Sequence, residues 1–301
     1  MTSLSLTAIV LTYNEEMHID RCLGSLRESV QRIVVVDSNS SDATVELARR
    51  AGADIYQRSF RNHADQFNWA LDHCGIASDW VLRIDADEYV DAELMREMGK
   101  RLPQMDRDVA GVVVNRLIKF FGRPIRYGGV SPHSVLRVWR SGKGRVENRW
   151  MDEHVILSGG RIASFSGFLV DENLKDMSFW VDKHNQYATR EMVDFLNSQH
   201  HFFVEGDLSG TAGEARLKRR AKTSLYNRAP LLHRAFLFFL YRYVFRLGFL
   251  DGTAGFLFHF MQGFWYRLLI DMKIVEARTY IQRNGVEAFK QMLRDRHKLS
   301  L

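Results

Sequence analysis

The sequence predicts an α/β protein, a mostly parallel sheet with helices on both faces, followed by a C-terminal amphipathic helical segment. Its first hundred residues alternate short apolar runs with helical patterns. Those runs are apolar along their whole length, as strands covered on both faces must be. Charge is distributed unevenly. The 301 residues carry a formal net charge of +6, yet the stretch from Ala215 to Leu250 holds nine Lys or Arg and no Asp or Glu.

The elements follow in order. "LTAIVL" reads as the first strand and "MHIDRCLGSLRES" as its crossover helix; "RIVVVD" and "ATVELARRAG" repeat the pair, "ADIYQ" and "DQFNWALDHC" repeat it again, and "WVLRID" is the fourth strand. From Val109 to about Val170 the chain turns β-rich and irregular, a substrate-shaping half on the same sheet. Met177, Val181, His184, Ala188, Met192 and Phe195 recur at three or four residues and predict a helix from about Lys175 to Asn197. "EGDLSGTAG" then reads as a linker. We therefore expect a catalytic domain over 1–205 and a basic, aromatic-rich helical region over 206–301.

Composition is that of an ordinary globular protein, with 46% hydrophobic and 26% charged residues. Two cysteines, far apart and without metal-type spacing, suit a reducing compartment. The N-terminal residues lack a secretory signal pattern, so the expected location is the cytoplasm. In the C-terminal region Arg234, Arg242, Arg246, Asp251 and Arg267 interrupt every long apolar stretch, which disfavours a spanning helix. Basic residues interleaved with large aromatics suit helices lying in an anionic membrane interface; the alternative is a helical cap on the domain.

Polar clusters fall where predicted strands end, which is where open α/β sheets bind ligands. "VLTYNEE" ends the first strand, with Asn14 a candidate helix cap and Glu15 and Glu16 at the positive end of the helix. It has no glycine-rich phosphate loop. "VVVDSNSSDAT" ends the second with Asp37, and Ser41 or Asp42 is a candidate cap. "VLRIDADEYV" ends the fourth, where Asp85 and Asp87 point to one side. Two converging carboxylates need neutralising, and a hard cation, Mg²⁺ or Mn²⁺, does so while keeping water and phosphate oxygens in its shell. The competing account is a solvated acidic turn capping the helix that begins near Asp91, which explains Glu88 and Asp91 better than Asp85.

Together, "LTYNEE", "VVDSNSSDAT" and "LRIDADE" match, in order and spacing, the motifs of glycosyltransferase family 2, the inverting sugar-nucleotide transferases of the Rossmann-like GT-A fold. "DQFNWALDHCGIASDWVLRIDADE" resembles the branch that contains lipopolysaccharide-core β-glucosyltransferases, where a Q-x-N precedes the D-x-D. The resemblance implies that Thr12, Tyr13, Asn14, Glu15 and Asp37, with Gln66, Asn68, Asp85 and Ala86, bind the donor nucleotide. It assigns the metal to Asp85 and Asp87. The catalytic base it implies lies in "NRWMDEHVIL": Glu153 first, Asp152 second. Where the family often has a histidine as a further metal ligand, this chain has Asp171 or Glu172. His154 and His184 read as structural, and Lys183 as an acceptor or phosphate contact.

The resemblance further implies a metal-dependent hexosyltransferase at the cytosolic face of the cytoplasmic membrane, using a UDP-sugar, by default UDP-glucose, and a lipid-linked glycan or lipopolysaccharide-core acceptor. A nucleotidyltransferase would need a Gly-rich, Arg-containing loop after the first strand, and "LTYNEE" is not one. A membrane or nucleic-acid binding module would leave the strand-end carboxylates without use, and no nucleic-acid partner is expected.

Overall fold

The computed structural model describes residues 4–147, 154–200, 202 and 230–297, and the chain divides into two compact units, Met1–Lys175 and Asp176–Leu301. The first unit carries the sheet. Its strands are β1 (Leu4–Thr12), β2 (Val30–Asp37), β3 (Asp54–Gln57), β4 (Trp80–Asp85), β5 (Glu88–Val90), β6 (Val109–Phe120), β7 (Arg123–Pro124), β8 (His133–Arg140), β9 (Gly144–Val146), β10 (Val155–Leu157) and β11 (Arg161–Asp171). The main sheet runs β3-β2-β1-β4-β8-β6-β11-β5, with β7 paired to β6, while β9 and β10 form a separate hairpin. Strands β1 to β4 are parallel to one another, β8 runs antiparallel to β4 and β6, β5 antiparallel to β11, and β6 pairs parallel with β11. This is the GT-A-like architecture that the motifs implied.

Alternation within each strand builds both faces. Leu6, Ala8, Val10, Leu82 and Ile84 pack with helices α1 (Ile19–Gly24) and α4 (Ala92–Arg101). Ile9, Val34, Val36 and Val81 turn to α3 (His63–His73), meeting Ala64, Phe67 and Ala70. These positions are nearly all sealed from water, so a truncation such as Leu82→Ala costs about 2–5 kcal/mol. Gly167 lets β11 approach the start of α4: a Cβ there would stand 2.2 Å from the Leu94 nitrogen. Asp91 caps α4, accepting from the Leu94 N–H at 2.7 Å.

The second unit is helical. It contains α5 (Met177–His200), α6 (His233–Leu240), α7 (Gly252–Phe258), α8 (Tyr266–Asn284) and α9 (Val286–His297). A π-type turn over Tyr241–Phe245 extends α6, and another over His259–Trp265 joins α7 to α8. Ala188, Met192, Val193 and Leu196 of α5 pack against Ile270, Ile274 and Ala277 of α8 and Phe289 and Leu293 of α9. The helix predicted from residue 175 is thus present, but it belongs to the helical unit. The glycine-rich stretch on which the 205/206 boundary rested lies outside the described residues. Among the described residues no helix is long and apolar enough to cross a membrane.

Candidate active site

Strand register brings the clusters together. Thr12 pairs with Asp37 across β1 and β2, and Leu11 pairs with Asp85 across β1 and β4, so the three polar strand ends share one edge of the sheet. The loops after β1 and β2 then lock onto each other. The Asn14 backbone N–H donates to Ser40 Oγ at 2.8 Å, its side-chain Oδ1 accepts from the Ser41 N–H at 2.9 Å, and the Glu15 N–H donates to Thr44 Oγ1 at 2.7 Å. Asn14, at φ +52°, is therefore a loop tie and not a helix cap. The N-cap of the next helix, α2 (Thr44–Arg50), is Ala43 and neither Ser41 nor Asp42, although Asp42 accepts from the Thr44 N–H at 3.0 Å. Glu16 accepts from the Ala43 N–H beside it.

Asp37 is buried, and its carboxylate accepts from the Thr12 hydroxyl at 2.9 Å and from the Ser40 N–H and hydroxyl at 2.8 and 2.5 Å. It fixes the loop from within, whereas Tyr13 stands exposed at the rim. Gln66 is buried on α3 and donates to Ser38 Oγ at 3.1 Å and the Arg58 carbonyl at 3.3 Å; its Oε1 has no hydrogen-bond partner among the described residues. Asn68, for which a nucleotide contact was expected, bonds to β9. Its amide donates to the Val146 carbonyl at 2.8 Å and accepts from the Val146 N–H at 2.9 Å, pinning β9 to α3.

At the end of β4 the acidic cluster has arginine partners that sequence reasoning missed. Arg137 of β8 donates to Glu88 Oε1 at 2.7 Å and to Asp85 Oδ2 at 3.2 Å. Arg116 of β6 stands 3.1 Å from Glu88 Oε1 and donates to Asp171 Oδ2 at 2.5 Å. Glu88, 1% exposed, is therefore not part of a solvated cap: it sits on β5 and also accepts from the Asp85 N–H at 3.0 Å. Burial, opposed by Arg137 and reinforced by Asp85, pushes Glu88 up to about 7. Burial also opposes the charge on Asp85, but Arg137, Arg83 and Arg116 hold that carboxyl well below the usual range.

Asp85 and Asp87 remain suited to a hard cation. Asp85 is 38% exposed at its side chain, the Asp87 carboxylate accepts from Asn173 at 3.1 Å, and each keeps its Oδ1 without a hydrogen-bond partner among the described residues. Two carboxylates with free oxygens fit Mg²⁺ or Mn²⁺ completed by water and diphosphate oxygens. Among the described residues no set of three or more His, Cys, Asp or Glu converges on a metal position. Asp171 is engaged by Arg116, and Glu172 by Arg21 at 3.0 Å and Lys119 at 3.4 Å. Ala86 is buried between the two aspartates.

Glu15 closes the site from the side. Lys175 donates to its Oε1 at 2.9 Å, and its Oε2 lies 2.5 Å from His18 Nδ1. Because the Leu174 N–H donates to His18 Nε2 at 2.8 Å, Nδ1 carries the proton and donates to Glu15. Burial opposes ionisation of Glu15, but its bonds to His18 and Lys175 hold the carboxyl below the ordinary value. The chain beyond β11 is thereby tied to the loop after β1.

Glu153 and Asp152 lie outside the described residues. The described residues on either side of them in the sequence are paired, the Glu147 N–H donating to the His154 carbonyl at 2.8 Å, and His154 is exposed. In the helical unit, His184 stacks on Trp180 with ring centroids 3.5 Å apart, and burial lowers it to about 4, against its bond to the Trp180 carbonyl. It is a structural residue, and Lys183 lies over Phe179 and Tyr187.

The sequence model of glycosyl transferase family 2 matches residues 7–170, more than half of the chain and all three strand-end clusters. The chain is 32% identical over 198 residues to the lipopolysaccharide core biosynthesis glycosyltransferase LpsC of Rhizobium meliloti (strain 1021), covering 62% of this chain and 70% of that protein. It is 36% identical over 93 residues to an uncharacterized glycosyltransferase of Rickettsia felis, covering 31% of this chain and 32% of that relative's length. Among solved structures, glucosyl-3-phosphoglycerate synthase from Mycobacterium tuberculosis aligns with 38% of this chain and 44% of its own, at 19% identity and TM-score 0.30. Mannosyl-3-phosphoglycerate synthase from Rubrobacter xylanophilus aligns with 38% and 41%, at 23% identity and TM-score 0.32. By the extent of the family match, the chain belongs to glycosyl transferase family 2.

Proposed function

We propose that the protein is an inverting, metal-dependent hexosyltransferase of cell-surface polysaccharide biosynthesis. It transfers a sugar from a UDP-sugar, UDP-glucose first among them, to a lipid-linked oligosaccharide or lipopolysaccharide-core acceptor. It works at the cytosolic face of the cytoplasmic membrane, which the helical unit meets as a peripheral attachment. The observation that carries the reading is the register that sets Thr12, Asp37 and Asp85 side by side at one sheet edge. The acceptor class is suggested by the similarity to LpsC.

In this reading the exposed ring of Tyr13 offers the donor base a stacking surface, and the interlocked loops of Asn14, Asp37 and Ser40 hold that ring in place. Asp85 and Asp87 would hold the cation by their free oxygens. When bound, Mg²⁺ or Mn²⁺ offsets the charge developing on the diphosphate leaving group. Arg137 and Arg116 keep the neighbouring Glu88 and Asp171 from competing for it. On the acceptor side, inversion requires a carboxylate that takes the hydroxyl proton as the bond to the sugar forms. Glu153, or Asp152, takes that role.

The test is release of nucleotide by purified protein offered UDP-, GDP- and dTDP-sugars with Mn²⁺ or Mg²⁺, alongside Asp87→Ala. Metal-dependent release from one donor, lost in the variant, is the expected result. Absence of both release and calorimetric binding for every donor would overturn the proposal.

A further inference from the structure

The helix α6 and its π-type extension are built inside out. Arg234 and Arg242, eight residues apart, are 3% and 8% exposed, while Leu237, Tyr241 and Phe245, four apart on another face, are 58%, 49% and 75% exposed. A helix on a water-facing domain does the reverse. The two buried arginines also differ from each other. Arg234 is answered by the fully buried Asp271, whose Oδ1 accepts from its Nε at 2.8 Å.

Arg242 has no such answer. Its Nε and Nη2 are buried without a hydrogen-bond partner among the described residues, and its guanidinium lies 5.6 Å from the ring centres of both Phe238 and Phe258. His259, fully buried, likewise has neither ring nitrogen bonded among the described residues. Gly248 presses its backbone to that imidazole, since a Cβ there would stand 2.5 Å from His259 Nε2. The nearby Arg267 is taken by Glu191 at 3.2 Å. Burial and Arg267 lower Arg242 to about 10, and burial and Arg242 lower His259 to about 4, so near neutral pH Arg242 is a buried cation beside a neutral imidazole. Buried donors are almost always satisfied, and a buried cation is tolerated when paired. The missing component is an anion. The exposed apolar side chains of the same helical stretch, and the acid-free basic run from Ala215 to Leu250, say where the anion comes from.

We propose that Arg242, with His259 beside it, binds the phosphate of an anionic membrane lipid at head-group depth, behind the separate apolar face that Leu237, Tyr241 and Phe245 set into the bilayer. The proposal rests on the membrane attachment inferred above and is independent of the transferase chemistry. It is tested by floating the full chain on phosphatidylcholine vesicles with and without phosphatidylglycerol, for wild type, Arg242→Met, His259→Phe and Phe245→Ser. Wild type should prefer the anionic vesicles. Arg242→Met should lose at least about fivefold of that preference, the weight of one basic residue at an anionic surface, and keep its weak partition to neutral vesicles. His259→Phe should do likewise, and Phe245→Ser should weaken both vesicle types alike.

A second readout separates a ligand from a strut. Without lipid, Arg242→Met should melt no lower than wild type, because an unpaired buried cation has been replaced by an apolar chain, whereas Arg234→Met should melt lower. Equal flotation of Arg242→Met and wild type on anionic vesicles would overturn the site and leave membrane attachment standing. Failure of wild type on all vesicles would overturn both. Unfolding of Arg242→Met would assign the residue to structure, and stabilisation of the chain by inorganic phosphate equal to that by anionic vesicles would assign the site to a free anion; either result overturns the proposal.

Discussion

Replacing Arg137 by Met tests whether arginine, more than metal, neutralises the acidic end of β4 in the free protein. The guanidinium bridges Glu88 at 2.7 Å and Asp85 at 3.2 Å, and Glu88 is 1% exposed. Removing one partner of a buried pair costs about 3–5 kcal/mol. Arg116 remains 3.1 Å from the same Glu88 oxygen, which places the expected loss at the lower end, about 3 kcal/mol. Glu88 is already displaced upward by burial, so it takes up a proton when Arg137 goes, and this caps the penalty. For a unit of this size about 3 kcal/mol corresponds to a fall in Tm of roughly 6–12 °C. Urea unfolding and a thermal scan of Arg137→Met, Glu88→Gln and the double variant measure it, and the double variant should recover much of the single loss because no buried charge is left unpaired. A loss for Arg137→Met under about 1 kcal/mol, the size of an exposed ion pair, would refute the reasoning.

Three further outcomes are expected. Asp87→Ala should leave the melting curve near wild type, since Asp87 gives up one bond from Asn173, and should lower donor turnover by about 10²–10³-fold if its free oxygen holds the cation; unchanged turnover would remove Asp87 from the metal site. Asn68→Ala should cost about 1–3 kcal/mol, because the Val146 N–H and carbonyl both lose their partner, and should lower kcat more than donor KM by loosening β9, which shortly precedes Glu153 in the sequence. Glu15 gives a pH signature. Its folded-state carboxyl is held below the ordinary value by His18 and Lys175, so its contribution is present above the unfolded value of about 4.3 and is lost as pH falls through the folded one. Chemical denaturation from neutral to acidic pH should therefore show a steeper loss for wild type than for Glu15→Gln; parallel curves would show that the pair adds nothing.

How much of this was legible depends on the range of the interaction. Strands β1 to β4 could be read because burial on both faces leaves an unbroken apolar run, and the strand-end clusters because parallel pairing must gather strand ends at one edge. The charge balance could not be read. Arg137 meets Asp85 from 52 residues away and Asn68 meets Val146 from 78, and neither residue differs locally from an ordinary polar position on a strand or helix. Glu88 was misleading for a related reason: the true cap, Asp91, follows it by one turn, so one local rule seemed to account for both, whereas the pairing of Asp171 with Glu88 makes it a strand residue. Periodicity likewise found α5 but not its partner, because a stripe of Ala188, Met192 and Phe195 fits a sheet or another helix equally well. The same ambiguity is sharpest in α6. Both stripes, Arg234 with Arg242 and Leu237 with Tyr241 and Phe245, are visible as spacing in the sequence, and the usual rule turns the apolar one inward. The structure turns it outward because Asp271, 37 residues beyond Arg234, makes burial of the basic stripe affordable at one position, and a buried pair is a fact of three-dimensional placement that periodicity does not carry.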